Sequence, residues 1–205
     1  MKSKILNNES LKAGDIVLCY SSIMLEEIDG IKYGYSHVAI CVNEEEILES
    51  VAAGVKKTNI NNLLNEYNHV AVLRGEDLWS NDRIAKLNQY AGESIGKPFN
   101  ADGLKMYRVI KEEYKEAAME RVHGYFEKIV VPSSGDNNKY FCSELVTSAF
   151  IKVGIIHESA AIIFAPETFL PEDIGQDKVF GFFIGYIIPY DDYKIPENDY
   201  FQYSI

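Results

Sequence analysis

A chain of 205 residues, 47% hydrophobic and 12% aromatic, is long enough for one core of ordinary size and lacks the polar bias of a disordered segment. Its formal net charge of −11 argues against a nucleic-acid or anionic-lipid surface, since both call for clustered Lys and Arg. Residues 1–10 are polar with no apolar h-region, and no run nears the roughly 18 apolar residues of a membrane span; the expectation is a cytoplasmic protein with no signal peptide and no integral membrane segment.

In chain order, Gly14-Asp15 is a turn into a short strand, Ile16 to Tyr20. Ser21 to Gly34 reads as a loop or short helix of mixed charge. Tyr35 to Val42 alternates strictly: Val38, Ile40 and Val42 face one way, His37, Ala39 and Cys41 the other. A turn at Asn43 to Glu46 leads to a returning strand, Ile47 to Val51, and Gly54 to Lys57 makes another. Thr58 is placed to cap a short helix through Asn65, and His69 to Leu73 is a further strand. Ser80 caps a helix through about Glu93, which Gly96-Lys97-Pro98-Phe99 breaks. Ala101 to Phe126 has helical rhythm, with Tyr107, Ile110, Tyr114, Ala118, Val122 and Tyr125 on one stripe.

A polar loop, Ser133 to Asn138, precedes a helix that begins at Cys142, runs to Val153 and stops at Gly154. Pro166 and Pro171 bracket a short ordered segment. Lys178 to Ile188 reads as a long final strand kinked near its glycines, and the tail from Pro189 as a surface strap. The pattern is α+β: a small antiparallel sheet from the N-terminal half with helices packed on it. We read residues 1–205 as a single domain with a helical insertion at about 101–130.

His37 and Cys142 carry the chemistry in this pattern. A thiol in the first turn of a helix meets the positive end of the dipole, which favours the thiolate, and a histidine on a strand can accept its proton. Each has a plainer reading beside it. Cys142 begins the stripe Leu145, Val146, Ala149, Phe150, Val153, so it also fits a small buried core thiol. His37 also fits a structural histidine. The first-turn position, the polar loop before it and the Ser143-Glu144 that follows favour a nucleophile; that loop is expected to leave the thiol accessible. Glu49 is either the solvent face of an edge strand or the group that orients His37. Its even separation from His37 puts both on one sheet face only if the turn between the strands is odd or bulged.

Cys19 and Cys41 lie in apolar strands and are expected to be inert free thiols; three cysteines in a chain without a visible signal do not form a disulfide framework. His69, His123 and His157 are weaker candidates: His69 opens a strand, His123 is on a helix, and His157 follows a helix end with no nearby partner signal. Zinc on Cys19, His37, Cys41 and Cys142 lacks the usual ligand spacing, and phosphate-loop patterns are absent, so no cofactor or metal is expected.

Gly14-Asp15-Ile16-Val17, Ser36-His37-Val38-Ala39-Ile40, Ile47-Leu48-Glu49-Ser50, Gly96-Lys97-Pro98-Phe99 and Tyr140-Phe141-Cys142-Ser143-Glu144-Leu145-Val146 stand in an order that resembles the circularly permuted papain-like enzymes. These are the YiiX/YaeF-like relatives of the NlpC-type cell-wall cysteine peptidases. The likeness runs from about Leu11 to Ile174, is specific around the His strand and the Cys helix, and is loose between Ala101 and Asn138. As in the permuted group, the histidine precedes the cysteine. The resemblance implies a papain-like α+β core with Cys142 as nucleophile, His37 as base and Glu49 as third member. The polar residue stands at the same separation from the histidine in the similar lecithin:retinol acyltransferase group. Glu49 departs from the His, Asn or Gln of non-permuted relatives.

The resulting expectation is a thiol hydrolase that cleaves an amide, in a peptide or cell-wall-type conjugate, through a thioester. Its partner is a small peptide, amide or acyl substrate. Two alternatives stay open: a lipid-directed acyltransferase or phospholipase using the same residues, with Tyr107, Ile110 and Tyr114 as an acyl groove, and a binding module with a dead triad.

Overall fold

In a computed structural model of the chain, the described residues are 4–23, 26–28, 31–132, 135–157 and 159–203. The elements follow in the order β1 (Ile16–Tyr20), β2 (Glu26–Ile28), β3 (Ile31–Tyr33), β4 (Tyr35–Cys41), β5 (Ile47–Val51), β6 (Gly54–Thr58), α1 (Ile60–Glu66), β7 (His69–Arg74) and α2 (Asn81–Ser94). After them come α3 (Ala101–Glu116), α4 (Ala118–Phe126), α5 (Cys142–Lys152), α6 (Pro171–Gln176), β8 (Phe182–Ile187) and α7 (Tyr200–Tyr203). The larger sheet has the strand order β6-β5-β4-β1-β7-β8, and β2 pairs with β3 in a separate hairpin. The pairs β1–β4, β1–β7, β4–β5 and β7–β8 are all antiparallel. This is a mixed α+β architecture, a six-stranded sheet accompanied by helices.

Contacts divide the chain into two compact units: Met1–Leu48, Lys57–Trp79 and Pro171–Ile205 form one, Glu49–Lys56 and Ser80–Leu170 the other. The division runs through β5 and β6.

In the first unit, alternation along the strands sorts side chains to two faces. Val17, Cys19, Ala39, Cys41, Ile47, Val70, Val72 and Ile187 form one apolar cluster with Ile60 and Leu63 of α1. Burying such a face against an amphipathic helix is the main stabilising term for a layer of this kind. Asn59 caps α1 by accepting the Asn62 N–H, so the helix begins one residue later than Thr58 would set it. At one end of β1, the buried Asp15 receives Arg74 of β7 in a two-pronged pair, Nε to Oδ1 at 2.8 Å and Nη2 to Oδ2 at 2.6 Å. Those bonds to Asp15 raise the Arg74 pKa above its ordinary value.

The tail is not a surface strap. Asp199 is buried, and it accepts hydrogen bonds from Tyr35 Oη, Tyr186 Oη and the Phe201 N–H, with His69 Nε2 at 3.1 Å. Burial of Tyr186, reinforced by that carboxylate, pushes its pKa far up. The final strand is shorter than the sequence implies: Lys178–Phe180 is a 3-10 turn, and β8 starts only after Gly181, whose φ of +115° stops extended pairing. The 21–34 stretch holds the β2–β3 hairpin rather than a helix; residues 24–25 and 29–30 of it, and 133–134 of the polar loop, lie outside the described residues.

In the second unit, α5 is buried on every side from Cys142 to Ile151, as an apolar helix at the centre of a layer must be. Helix α2 packs on it, and Tyr90 Oη donates to the Leu145 carbonyl at 3.1 Å. The expected single helix from 101 to 126 is two, α3 and α4, hinged at Ala117. The half-buried stripe of α3 is spent on packing: α3 lies on the 3-10 turn Pro166–Thr168, and Tyr114 Oη donates to Glu167 at 3.0 Å. Burial pushes the Tyr114 pKa up to about 12.

Candidate active site

Cys142 is the first residue of α5. Its N-cap is Phe141, whose side chain has no acceptor, so no N-cap side chain competes for the first-turn N–H groups that a helix leaves open. That turn is a ready anion site. Cys142 is 8% exposed, so the thiol is far less open than the polar loop before it implies.

The segment before Cys142 is tightly held. Phe99 and Tyr140 form a parallel bridge, with the Asn100 N–H on the Tyr140 carbonyl at 3.0 Å and the Tyr140 N–H on the Pro98 carbonyl at 3.1 Å. The Gly96-Lys97 turn reaches β6 through the Val55 N–H on the Lys97 carbonyl and the Gly96 N–H on the Val55 carbonyl. Gly54 makes that approach possible: its φ is +104°, and a Cβ there would meet the Lys97 carbonyl at 2.7 Å. This explains the Gly-Lys-Pro-Phe motif as a brace for Tyr140 rather than only a helix breaker.

Two residues past Cys142, Glu144 is 2% exposed and collects three donors. The Phe141 N–H reaches Oε2 at 3.1 Å, Asn100 Nδ2 reaches Oε2 at 2.9 Å, and Asn137 Nδ2 reaches Oε1 at 2.7 Å. The first bond is the N3 half of a capping box. Burial raises the Glu144 pKa; the bonds from Asn100, Phe141 and Asn137 pull it back without cancelling that rise. Next to it, Ser143 Oγ donates to the Phe169 carbonyl at 2.7 Å.

Glu49 lies in the same unit as Cys142, on β5, 3% exposed. Its neighbour Ser50 donates from Oγ to the Tyr140 carbonyl at 2.6 Å, which sets this strand against the entry to α5. The carboxylate has Lys56 Nζ at 3.4 Å, a pairing that sequence reasoning missed; Lys56 is 48% exposed.

His37 lies in the other unit, on β4, 6% exposed. It sits opposite Cys19 of β1, and its ring stacks on Tyr67 at 5.5 Å between centroids and 4° between planes. Tyr67 follows α1, so the helix that covers this sheet face also supplies the stacking partner. A bulge between Cys19 and Tyr20 pairs Tyr20 with Tyr35 and leaves Ser36 as the extra residue. Without it Tyr35 would share the face of His37; with it Tyr35 turns to the face of Tyr20 and His69.

The β4–β5 register answers the parity question. Cys41 pairs with Ile47 and Ile40 with Leu48, so five residues intervene, an odd turn. By alternation along β4, His37 lies on the sheet face of Cys41.

Cys19 and Cys41 are fully buried free thiols, and burial drives the Cys41 pKa well above its ordinary value. His69 is held by Asp199, and His157, which the sequence left without a partner signal, has Nδ1 2.8 Å from Ser159 Oγ. Among the described residues no group of three or more His, Cys, Asp or Glu side chains is placed to hold a metal, and no helix is long and apolar enough to cross a membrane. Asn137 and Tyr67 leave no mark of their own in the sequence. Asn100, an N-cap residue ahead of α3, and Glu144, three residues past the N-cap Phe141, carry capping signals.

Residues 10–110 match the model of a family described as permuted papain-like amidase enzymes, YaeF/YiiX, C92. That range includes His37 and Glu49. The protein described as probable lipoprotein peptidase YaeF, from Escherichia coli (strain K12), is 24% identical over 165 residues, covering 74% of this chain. The chain spans 59% of the length of that relative. No solved structure matches it. The order of its motifs and both comparisons thus make this chain similar to the permuted papain-like amidases of the YaeF/YiiX kind.

Proposed function

We propose that this protein is a cysteine amidase or peptidase in which Cys142 is the nucleophile, His37 the base and Glu49 the residue that orients the imidazole. The observation that supports it most is the entry to α5. Cys142 opens a buried helix behind a cap with no side-chain acceptor, and Ser50, next to Glu49, is bonded to the Tyr140 carbonyl two residues away.

In this reading His37 takes the proton from Cys142 Sγ, and the thiolate attacks the carbonyl carbon of an amide. The oxyanion forms at the α5 N-terminus, where the Cys142 backbone N–H and the helix dipole meet it. The C–N bond breaks as His37 hands its proton to the departing nitrogen, leaving a thioester on Sγ. Water then gives a proton to His37 and attacks the thioester carbon; the C–S bond breaks, releasing the acid, and Sγ leaves as the thiolate. Amide chemistry follows the family description, and Tyr107, Ile110 and Tyr114, the proposed acyl groove of a lipid enzyme, lie on a helix committed to packing on Pro166–Thr168.

Iodoacetamide labelling of the folded protein at neutral pH, followed by peptide mapping, tests the nucleophile. Cys142 should be modified first, with Cys19 and Cys41 protected by burial. Labelling of Cys19 or Cys41 ahead of Cys142 would remove this assignment.

A further inference from the structure

We infer that Glu144 is the positioning residue of the nucleophile: through Asn100, Asn137 and the Phe141 N–H, its carboxylate fixes the first turn of α5 and therefore the place of Cys142. This rests on the reading of Cys142 as nucleophile and adds the device that holds it.

A carboxylate 2% exposed is an expensive group to place in a core, and no cation is among the partners that hold it. Its three donors come from two stretches of chain, the segment entering α5 and the start of α3. Phe141 is the N-cap of α5, Asn137 belongs to the loop before it, and Asn100 is the N-cap of α3. Asn100 cannot turn away, because its Oδ1 already accepts the Gly103 N–H at 3.0 Å while its Nδ2 serves Glu144. One side chain therefore ties the starts of two helices and the intervening loop to a point two residues from the thiol.

The Tyr140 carbonyl, held by both the Asn100 N–H and Ser50 Oγ, fixes the peptide on the other side of Phe141. Cys142 thus sits between two anchored points, Tyr140 and Glu144. A simple helix cap needs only the Phe141 bond; the bonds to Asn100 and Asn137 exceed that need. Displacement of a reacting atom by about 1 Å can cost roughly a hundredfold in rate, so a site of this kind gains from such anchoring.

The chemistry separates position from charge. In Glu144→Gln the amide oxygen can keep the bonds from Asn100 and Phe141. The amide nitrogen then meets Asn137, whose own amide can flip to accept it. Geometry survives while a negative charge near the thiol is lost. Glu144→Ala loses both.

The test is the pH dependence of Cys142 carbamidomethylation, resolved by peptide mapping, in the full-length protein and in Glu144→Gln and Glu144→Ala, with circular dichroism confirming the fold. We expect the Glu144→Ala midpoint to rise by about one pH unit toward that of an ordinary thiol, which slows labelling about tenfold at a fixed pH below it. Glu144→Gln should stay at the parent midpoint or fall below it. If Glu144→Ala does not fold, Asn137→Ala, which removes only the loop donor, should give a smaller rise in the same direction. An unmoved midpoint in the folded Glu144→Ala or, failing that, in Asn137→Ala overturns the inference, as does a Glu144→Gln midpoint that rises as far as that of Glu144→Ala. A parent whose Cys142 is no more reactive than Cys19 and Cys41 removes the nucleophile reading itself, and the inference with it.

Discussion

Glu49 has two claims on it. Lys56 Nζ stands 3.4 Å from Oε1, yet that lysine is half in solvent, where an ion pair contributes about 0–1 kcal/mol. The other claim is the proposed hydrogen bond to His37, which would hold the ring in the tautomer that accepts the thiol proton. The two separate by mutation. Lys56→Ala should change hydrolysis of the best amide substrate less than about threefold, as expected for a partly exposed pair. Glu49→Gln should lower it by about tenfold or more, part of the roughly 10²–10⁴ that a well-placed proton acceptor supplies, with little change in thermal midpoint. Equal activity of Glu49→Gln and the parent would assign the third role to another residue.

Glu144 also carries a pH signature. Its folded pKa is raised above the ordinary 4.5 by burial, so the folded state holds this proton more tightly than the unfolded chain. A carboxyl of this sign has its full stability below the ordinary value and loses it as pH rises through the raised one. Urea denaturation across this range should show the parent losing stability relative to Glu144→Gln. A difference between the two that is flat with pH would contradict the assigned shift.

Among the elements, the strands are the most legible part of the sequence. β1, β4, β5 and β7 alternate or run apolar between turn residues, and the Ser80 cap of α2 sits where its side chain accepts the Arg83 N–H. Features without such a signal are not legible. The α3–α4 break falls at Ala117, an ordinary helix former with no Gly or Pro beside it. The tail misleads because an Asp among Tyr residues looks solvated. The partners that bury Asp199, namely His69, Tyr35 and Tyr186, lie 13 to 164 residues away and no local pattern points to them. This network anchors the tail to β4, β7 and β8. Asp199→Ala removes the acceptor shared by Tyr35 Oη, Tyr186 Oη and the Phe201 N–H and should cost about 3–5 kcal/mol in urea denaturation. A loss below about 1 kcal/mol would mean the tail is held by other contacts.

At the scale of the whole chain, the order of motifs carries the most information. A histidine strand ahead of a cysteine helix carries the resemblance to the permuted papain-like enzymes, because each motif ties a candidate residue to a local element. The parity of the β4–β5 turn is beyond the reach of the sequence, since it depends on where the hairpin turns; the Cys41–Ile47 pairing makes it odd. The burial of Cys142 is likewise hidden, because the polar loop before it gives no sign of the bonds from Pro98 and Asn100 that hold Tyr140 at the entry to α5.

The most direct test of the central claim is the pH–rate profile of Cys142 alkylation in the parent and in His37→Ala. A thiol whose proton is taken by His37 reacts well below its ordinary pKa of about 8.5. The parent should show a plateau that extends to near-neutral pH, and His37→Ala, still folded, should lose it and react only as the pH nears that of a free thiol. Identical profiles in the two proteins would contradict the account.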